Sequence, residues 1–161
     1  MRRIIGGAIA AGVAVFAGVG AMGDDTTRDD SGDIVESGGL GVYSFQIGDC
    51  IQFPVGDEQL VESVEGVPGS EPHDAQVYVE FDLAAETFPG DDAIFEAAAA
   101  RCYAEFDAAM GVAYDATPDL DFTAFTPVEE GWDAGDREVT CFVVRTDYAK
   151  WTGTALAADL G

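Results

Sequence analysis

The sequence is poor in the residue types on which most active sites and nucleic-acid interfaces depend. Its 161 residues include one histidine, His73, and 7 basic residues against 31 acidic ones, giving a formal net charge of −24. Such a chain repels phosphates, so DNA and RNA are excluded as partners. One histidine and three scattered cysteines do not supply the ligand set of a zinc site. Neither a phosphate-binding glycine loop after a strand nor a G-x-S-x-G elbow occurs, so we expect no cofactor and no catalytic residue.

The acidic residues are spread along the chain rather than clustered. From Gly23 onward there are 31 acidic and 5 basic residues. Spread charge is typical of a solvated surface, and calcium binding is the alternative. The run from Asp24 to Asp33 lacks the ligand spacing of a calcium loop. No metal ligand is therefore assigned, although a calcium-dependent acidic module is retained as an alternative function.

The N-terminus has the pattern of a membrane-targeting segment. Arg2 and Arg3 precede 19 uncharged residues, 4–22, which would span about 28 Å as a helix. The positive end predicts that the N-terminus stays in the cytoplasm and the rest of the chain lies outside. Residues 1–22 are thus interpreted as a signal anchor, giving a single-pass protein of the cell membrane. The alternative is a signal peptide cleaved near Ala21, giving a secreted protein.

The remainder divides into a linker and one domain. Residues 23–41 are predicted to be an acidic, disordered linker, and residues 42–161 an extracytoplasmic domain. Within the domain, alternation predicts a strand over 75–83, with Val77, Val79, Phe81 and Leu83 on one face. It predicts another over 138–145, with Val139, Cys141 and Val143 on one face. Residues 112–125 are interpreted as an acidic loop.

One segment has strong helical periodicity. A helix is predicted to begin with Asp91 or Asp92 as its cap and to end before Gly111. Residues at steps of three and four form its buried stripe: Ile94, Ala98, Cys102, Phe106 and Ala109. The sequence 126–129 is interpreted as a capping box that starts a short second helix. The predicted fold is α+β: a small antiparallel sheet packed on one main helix, preceded by the transmembrane or signal helix.

The three cysteines indicate one disulfide and one leftover thiol if the domain is exported. Cys102 lies on the buried helix stripe and Cys141 on the face of the last strand that we expect to meet it. We favour this bridge, which closes a loop of about 40 residues. Bridges from Cys50 to Cys141 or to Cys102, and the absence of any bridge, remain alternatives.

Four segments together resemble the septum-formation domain family of actinobacterial envelope proteins. They are Gly48-Asp49-Cys50, the run 67–77 containing Pro72-His73-Asp74-Ala75, the helix around Cys102, and the run 130–141 with the spacing W-x-x-G-D-R-x-V-x-C. A closing Thr152-Gly153-Thr154 also resembles the family. The resemblance covers about residues 46–155.

This resemblance implies a small extracytoplasmic domain, carried by a signal or transmembrane helix and linked to cell division. The chain departs from the family pattern at Gly69, where members usually have a cysteine. In the family that cysteine is expected to pair with the one matching Cys50, so the resemblance implies that Cys50 is free here.

Two sets of residues are candidates for function. Ser70, Pro72, His73 and Asp74 form a possible functional loop, in which we expect His73 and Asp74 to bond backbone groups of their own loop. The second set is the motif Trp132, Asp136 and Arg137. Here we expect Arg137 to pair with a nearby acid and Trp132 to be a buried or lid aromatic.

The leading functional hypothesis is a non-catalytic binding or scaffolding domain of the envelope, linked to septum formation. Its expected partners are envelope or division proteins, and the membrane through the N-terminal helix. A cell-envelope hydrolase using His73 or a carboxylate pair is the alternative enzyme class.

Overall fold

The computed structural model describes residues 1–5, 24–54 and 60–157. Ten strands and two α-helices occur there, with a 3-10 turn at Tyr114–Ala116. The strands are β1 Arg2–Ile5, β2 Thr27–Arg28, β3 Ile34–Glu36, β4 Gly38–Gly41, β5 Cys50–Gln52, β6 Leu60–Val61, β7 Ser63–Val67, β8 Ala75–Asp82, β9 Leu120–Pro127 and β10 Glu138–Arg145. The helices are α1 Asp91–Met110 and α2 Glu129–Asp133.

Eight of the strands form one antiparallel sheet. Its order is β4-β7-β5-β8-β10-β9-β1-β6, while β2 and β3 pair separately. One end of this order is β6, and the strand that follows it in sequence, β7, lies next to the other end, β4; only Glu62 separates β6 from β7. Because one residue joins β6 to β7, the sheet curls until its β6 end comes close to the β4–β7 end.

The concave face of the sheet encloses the first hydrophobic core. Phe45, Phe125 and Phe142 lie at its centre, with ring centroids 4.8–5.7 Å apart. Aliphatic side chains from nearly every strand fill the rest, including Ile51 and Val64. Burial of this size supplies the main driving force for closing the curl.

The helix α1 covers the outer face of β8, β9 and β10 and forms a second core. Its buried residues are the predicted stripe plus Met110. Val139, Cys141 and Val143 face the helix, whereas Phe142 faces the first core. The predicted α+β class, the antiparallel sheet and the single main helix are confirmed. Gly111 ends α1 in the left-handed conformation, as expected, but Gly90 rather than an aspartate is the N-cap.

A disulfide joins the helix to the sheet. Cys102 and Cys141 are bonded, with Cα atoms 5.7 Å apart, and both are fully buried. The favoured pairing is therefore confirmed, and Cys50 is free and buried.

A β-bulge interrupts the alternation predicted for 75–83. Cys141 pairs with Val79 and Phe142 with Val77, so Tyr78 is the extra residue. Val77 consequently faces the first core, while Tyr78 and Val79 both pack on the helix side. The prediction that Val77 shares a face with Val79 was wrong, because one unpaired residue reverses the alternation.

The prediction of disorder over 23–41 was wrong for the residues described. Ile34 and Leu40 are buried in the first core, and β4 pairs with β7. Arg28 forms two hydrogen bonds to the buried Asp49, of 2.6 and 2.8 Å. Gly38 lies so close to Asp25 that a Cβ atom would be 2.4 Å from its carbonyl oxygen. Two buried aliphatic residues and one ion pair thus order a segment whose composition is typical of a linker.

The N-terminus differs from the predicted leader where it is described. Arg2–Ile5 is a strand, paired with β9 and β6, rather than the beginning of a helix. Most of the predicted helix, 6–22, lies outside the described residues. None of the helices in 24–54 and 60–157 is long and apolar enough to cross a membrane.

Two smaller predictions also failed. Residues 120–127 form the central strand β9 instead of part of an acidic loop, because Ala124 and Phe125 are buried on opposite faces of the sheet. The capping box is absent: Pro127 ends β9, and Val128 is the N-cap of α2 without a side-chain hydrogen bond.

Candidate functional site

The two predicted sets of site residues lie at opposite ends of the paired strands β8 and β10. Ala75 pairs with Val144 at one end, and Asp82 pairs with Glu138 at the other. The loop 68–74, here the His73 loop, precedes Ala75, whereas the turn 132–137, here the Trp132 turn, precedes Glu138. Eight strand residues span about 25 Å. The structure therefore does not bring the two sets together.

His73 is fully buried at its end of the sheet. Its Nδ1 donates to the carbonyl oxygen of Glu71 at 2.9 Å, within its own loop. Its backbone forms a two-way bridge with Trp151, with N–O distances of 2.9 and 3.1 Å. The two rings meet edge to face, with centroids 4.2 Å apart. His73 thus joins its loop to the C-terminal part of the chain.

The environment of His73 favours the neutral imidazole. Burial lowers the pKa of His73, with Lys150 acting in the same direction, while the hydrogen bond to Glu71 and the charge of Asp74 oppose the change. Nε2 of His73 and Nε1 of Trp151 are buried without a hydrogen-bond partner. A histidine held in this way serves packing, since its free nitrogen does not reach solvent.

Polar side chains at the end of the His73 loop and just after it form hydrogen bonds to the C-terminal segment, residues 148–157. Asp74 accepts hydrogen bonds from the backbone N of Phe53 at 3.0 Å and from Nζ of Lys150 at 3.2 Å. Gln76, buried on β8, accepts from the hydroxyl of Thr154 at 3.1 Å and the backbone N of Ala155 at 2.9 Å. Asp74 thus bonds neighbouring segments rather than its own loop.

Ser70 and Pro72 are exposed, in contrast to the buried histidine. Among the described hydrogen bonds, none joins Ser70 to His73. A serine nucleophile needs a base within hydrogen-bond reach. The adjacency of Ser70, His73 and Asp74 in sequence therefore does not produce the geometry of a triad.

At the opposite end, Arg137 organises the Trp132 turn. Its guanidinium lies 3.9 Å from the centroid of the Trp132 ring. It donates to the carbonyl oxygens of Trp132, Asp136 and Glu86 at 2.7, 2.8 and 3.2 Å. The prediction that Arg137 pairs with an acid was wrong, because its guanidinium bonds three backbone carbonyl oxygens instead. Trp132 is buried, and one face of its ring is covered by Arg137.

Asp136 binds a residue that the sequence assigned to the leader. Its Oδ1 accepts from the guanidinium of Arg2 at 3.3 Å and from the backbone N of Glu138 at 3.1 Å. Arg2 also contacts the carboxylate of Glu138 at 2.6 Å and the hydroxyl of Thr140 at 3.0 Å. Arg2 is only 1% exposed. It is a buried cation with acids on several sides.

Glu80 is the third acid of this group. It lies opposite Thr140 on the neighbouring strand. Burial and the nearby Glu138 raise its pKa to about 7, against the opposing effect of Arg2. An open cleft of about 470 Å³ borders the group, lined by Arg2, Tyr43, Asp136 and Arg137 among others.

Sequence reasoning missed Arg2, Glu80 and Trp151 as members of these sites. An acid between apolar residues of a core strand was the available signal for Glu80. Arg2 carried no such signal, since a basic residue before an apolar run indicates a leader. Among the described residues, no cluster of three or more potential ligands suits a metal ion.

A family model described as septum formation matches residues 43–159. The chain belongs to the septum-formation family. The match includes both the His73 loop and the Trp132 turn, as the sequence resemblance predicted. Comparisons with curated proteins and with solved structures gave no match.

Gly69 stands where members of the septum-formation family usually have a cysteine, and the structure shows what lies next to it. A Cβ atom added at Gly69 would lie 3.6 Å from Sγ of Cys50. This proximity agrees with the pairing that the family resemblance implied for these two positions. Here the Cys50 thiol is buried, and burial raises its pKa to about 12, so it remains protonated and unreactive at neutral pH.

Proposed function

We propose that this chain is a non-catalytic binding domain of the cell envelope that takes part in septum formation. The observation that carries the proposal is the match of the septum-formation family to most of the domain, residues 43–159. Its partners are envelope or division proteins, bound through the folded domain. The domain acts outside the cytoplasm, tethered or released by its N-terminal segment.

The disulfide supports the location. Cys102–Cys141 lies in the core between helix and sheet, where both residues are inaccessible to solvent. Structural disulfides persist in oxidising compartments and are rare in the cytosol. The strong negative charge suits a soluble domain facing the outside of the membrane.

The state of the two most reactive residue types supports binding over catalysis. His73 is packed against Trp151 with its pKa lowered by burial, and Cys50 is a buried thiol. A general base needs access to the proton that it abstracts. Both residues instead contribute to packing near the C-terminal segment.

Depletion in the host tests the role in septation. We expect depleted cells to form fewer or misplaced septa, and a fluorescent fusion active outside the cytoplasm to collect at division sites. Crosslinking followed by purification should recover division or cell-wall proteins. Normal septa together with an even distribution of the fusion would contradict the proposal.

Complementation separates binding from hydrolysis. The variant His73→Gln, once shown to be folded by its melting temperature, should restore septation because no reaction depends on its imidazole. Ser70→Ala, an exposed change in the same loop, is the matched control. A folded and correctly located His73→Gln protein that fails to restore septa would favour the hydrolase instead.

A further inference from the structure

The strand β1 occupies a position in the sheet that an exported domain must give up. Arg2–Ile5 lies between β9 and β6, with Ile4 opposite Phe125 and Arg3 opposite Thr126. The same residues begin the leader, whose positive end stays in the cytoplasm or is removed with the leader. On the outer side of the membrane β1 therefore cannot pair with β9. This step rests on the proposed envelope location.

We infer that the position of β1, here the β1 groove, binds an extended segment of a partner protein with two consecutive basic residues followed by an apolar one. Loss of β1 leaves β9 as an edge strand, whose free backbone groups accept a further strand. Main-chain hydrogen bonds supply part of the affinity, and three side-chain positions define the sequence that fits.

The first basic position is the most selective. The Arg2 guanidinium contacts the carboxylates of Asp136 and Glu138 at 3.3 and 2.6 Å. Its central carbon, Cζ, lies 4.7 Å from the centroid of the Tyr43 ring. The Asp136 side chain is 7% exposed, and its Oδ2 is buried with no hydrogen-bond partner. Removing the cation leaves the buried Asp136 carboxylate next to the partly exposed Glu138 without a counter-charge, which is strongly unfavourable. The β1 groove therefore demands a cation.

The next two positions are less demanding. Arg3 forms an ion pair with Asp91 at the rim, with its side chain 29% exposed. Its carbonyl oxygen accepts from the Thr126 hydroxyl at 3.2 Å. Charges at the edge of an interface mainly raise the rate of association, so we expect the Arg3–Asp91 pair to affect how fast a segment enters the β1 groove. Ile4 packs into the first core beside Phe125 and fixes the register of the strand.

The test uses the full chain carrying Arg2→Glu, which replaces the cation by an acid and expels β1. The probe is the labelled peptide Met-Arg-Arg-Ile-Ile-Gly, copied from residues 1–6. We expect it to bind this variant, to raise its melting temperature and to protect β9 amides from hydrogen exchange. The unmodified chain should bind it much more weakly, because its own β1 fills the groove.

Two changes and one control test the specificity of the β1 groove. A peptide with glutamate at its first arginine should bind at least about 30-fold more weakly, the loss typical of a broken buried charge pair. Adding Asp136→Asn to the chain should weaken the original peptide by about tenfold. Adding Asp147→Asn, an exposed acid at the other end of the sheet, should leave binding unchanged.

Several results would overturn the inference. One is that an Arg2→Glu chain with native circular dichroism binds no peptide. Another is that the arginine and glutamate peptides bind equally well. If the Arg2→Glu chain does not fold, the unmodified chain cleaved at an inserted protease site within residues 6–23 takes its place, and failure to exchange the labelled peptide is then decisive. Exchange of β1 between two copies, seen as dimers by light scattering, would assign the groove to self-association. Peptide binding does not depend on septal location, so this test fails or succeeds independently of the proposed function.

Discussion

The two ends of the β8–β10 pair hold their polar groups in contrasting ways. At one end, His73 is neutral, fully buried and joined to the C-terminal segment by backbone bonds and by the Trp151 ring. At the other end, Arg2 carries a buried charge, and three acids surround it: Glu80, Asp136 and Glu138. The first end depends on contacts made by the domain itself, and the second on a strand from the N-terminus.

This difference indicates where a partner can act. A neutral cluster held by backbone bonds and ring packing gains little from an external ligand, because its two unpaired ring nitrogens are buried out of a ligand's reach. A buried carboxylate group depends on its cation and is costly without it. The proposed partner segment therefore acts at the Arg2 end, whereas the contacts at the His73 end hold the domain together.

Arg2→Met should produce the largest effect. The change leaves Asp136 and Glu138 without their cation, and we expect the free energy of unfolding to fall by about 3–5 kcal/mol. Urea denaturation of the full chain measures this loss. The control is Arg145→Met, which breaks an exposed pair with Asp147 and should change stability little. Equal losses in the two variants would remove the contrast between the ends.

Gly69→Cys should strengthen the His73 end. The new thiol lies close to Cys50, and an oxidised bridge would close a loop of about 20 residues, adding about 3 kcal/mol on the loop-entropy argument. The measurement is the urea midpoint with and without reductant. Gly69→Ser, similar in size but unable to form the bridge, is the control. Two thiols that stay accessible to a thiol reagent after oxidation and unfolding would contradict the prediction.

His73→Ala should have the next largest effect. Loss of the ring packed on Trp151 and of the bond to Glu71 is expected to cost about 2 kcal/mol at pH 7.5. Because burial lowers the pKa of His73, its contribution is complete above pH 6.5 and is lost as the pH falls below that value. The variant should therefore lose stability less steeply on acidification. Ser70→Ala is the exposed control in the same loop, and an unchanged acid slope in His73→Ala would contradict the assignment.

Glu80→Gln should give the smallest effect, with the opposite pH dependence. The raised pKa of Glu80, about 7 against the ordinary 4.5, means that ionisation opposes folding as the pH rises between those values. The variant should gain less than about 1 kcal/mol at pH 8 and nothing at pH 4. Asp82→Asn, an exposed acid on the same strand, controls for the loss of one negative charge. The measurement is the melting temperature of the variant and the unmodified chain between pH 4 and pH 8. An equal gain in stability at both pH values would contradict the prediction.

Local pattern was sufficient for the elements whose neighbours are close in sequence. The helix stripe from Ile94 to Ala109 and the alternation of β10 were predicted correctly, and together they favoured the disulfide that the structure shows. Composition failed for 24–41, since only Ile34 and Leu40 distinguish that segment from a linker. It failed again for β9, where Asp119 and Asp121 concealed a strand that is buried on both faces.

The sequence by itself determined the main helix, the last strand and the excess of acidic groups, and it favoured the Cys102–Cys141 bridge, because periodicity and charge are properties of neighbouring residues. The tertiary structure decided the rest: the curled sheet, the bulge at Tyr78, the separation of His73 from Asp136, and the burial of Arg2 among acids. These features depend on strands far apart in sequence, whose pairing follows from the free energy of the whole core rather than from any local pattern.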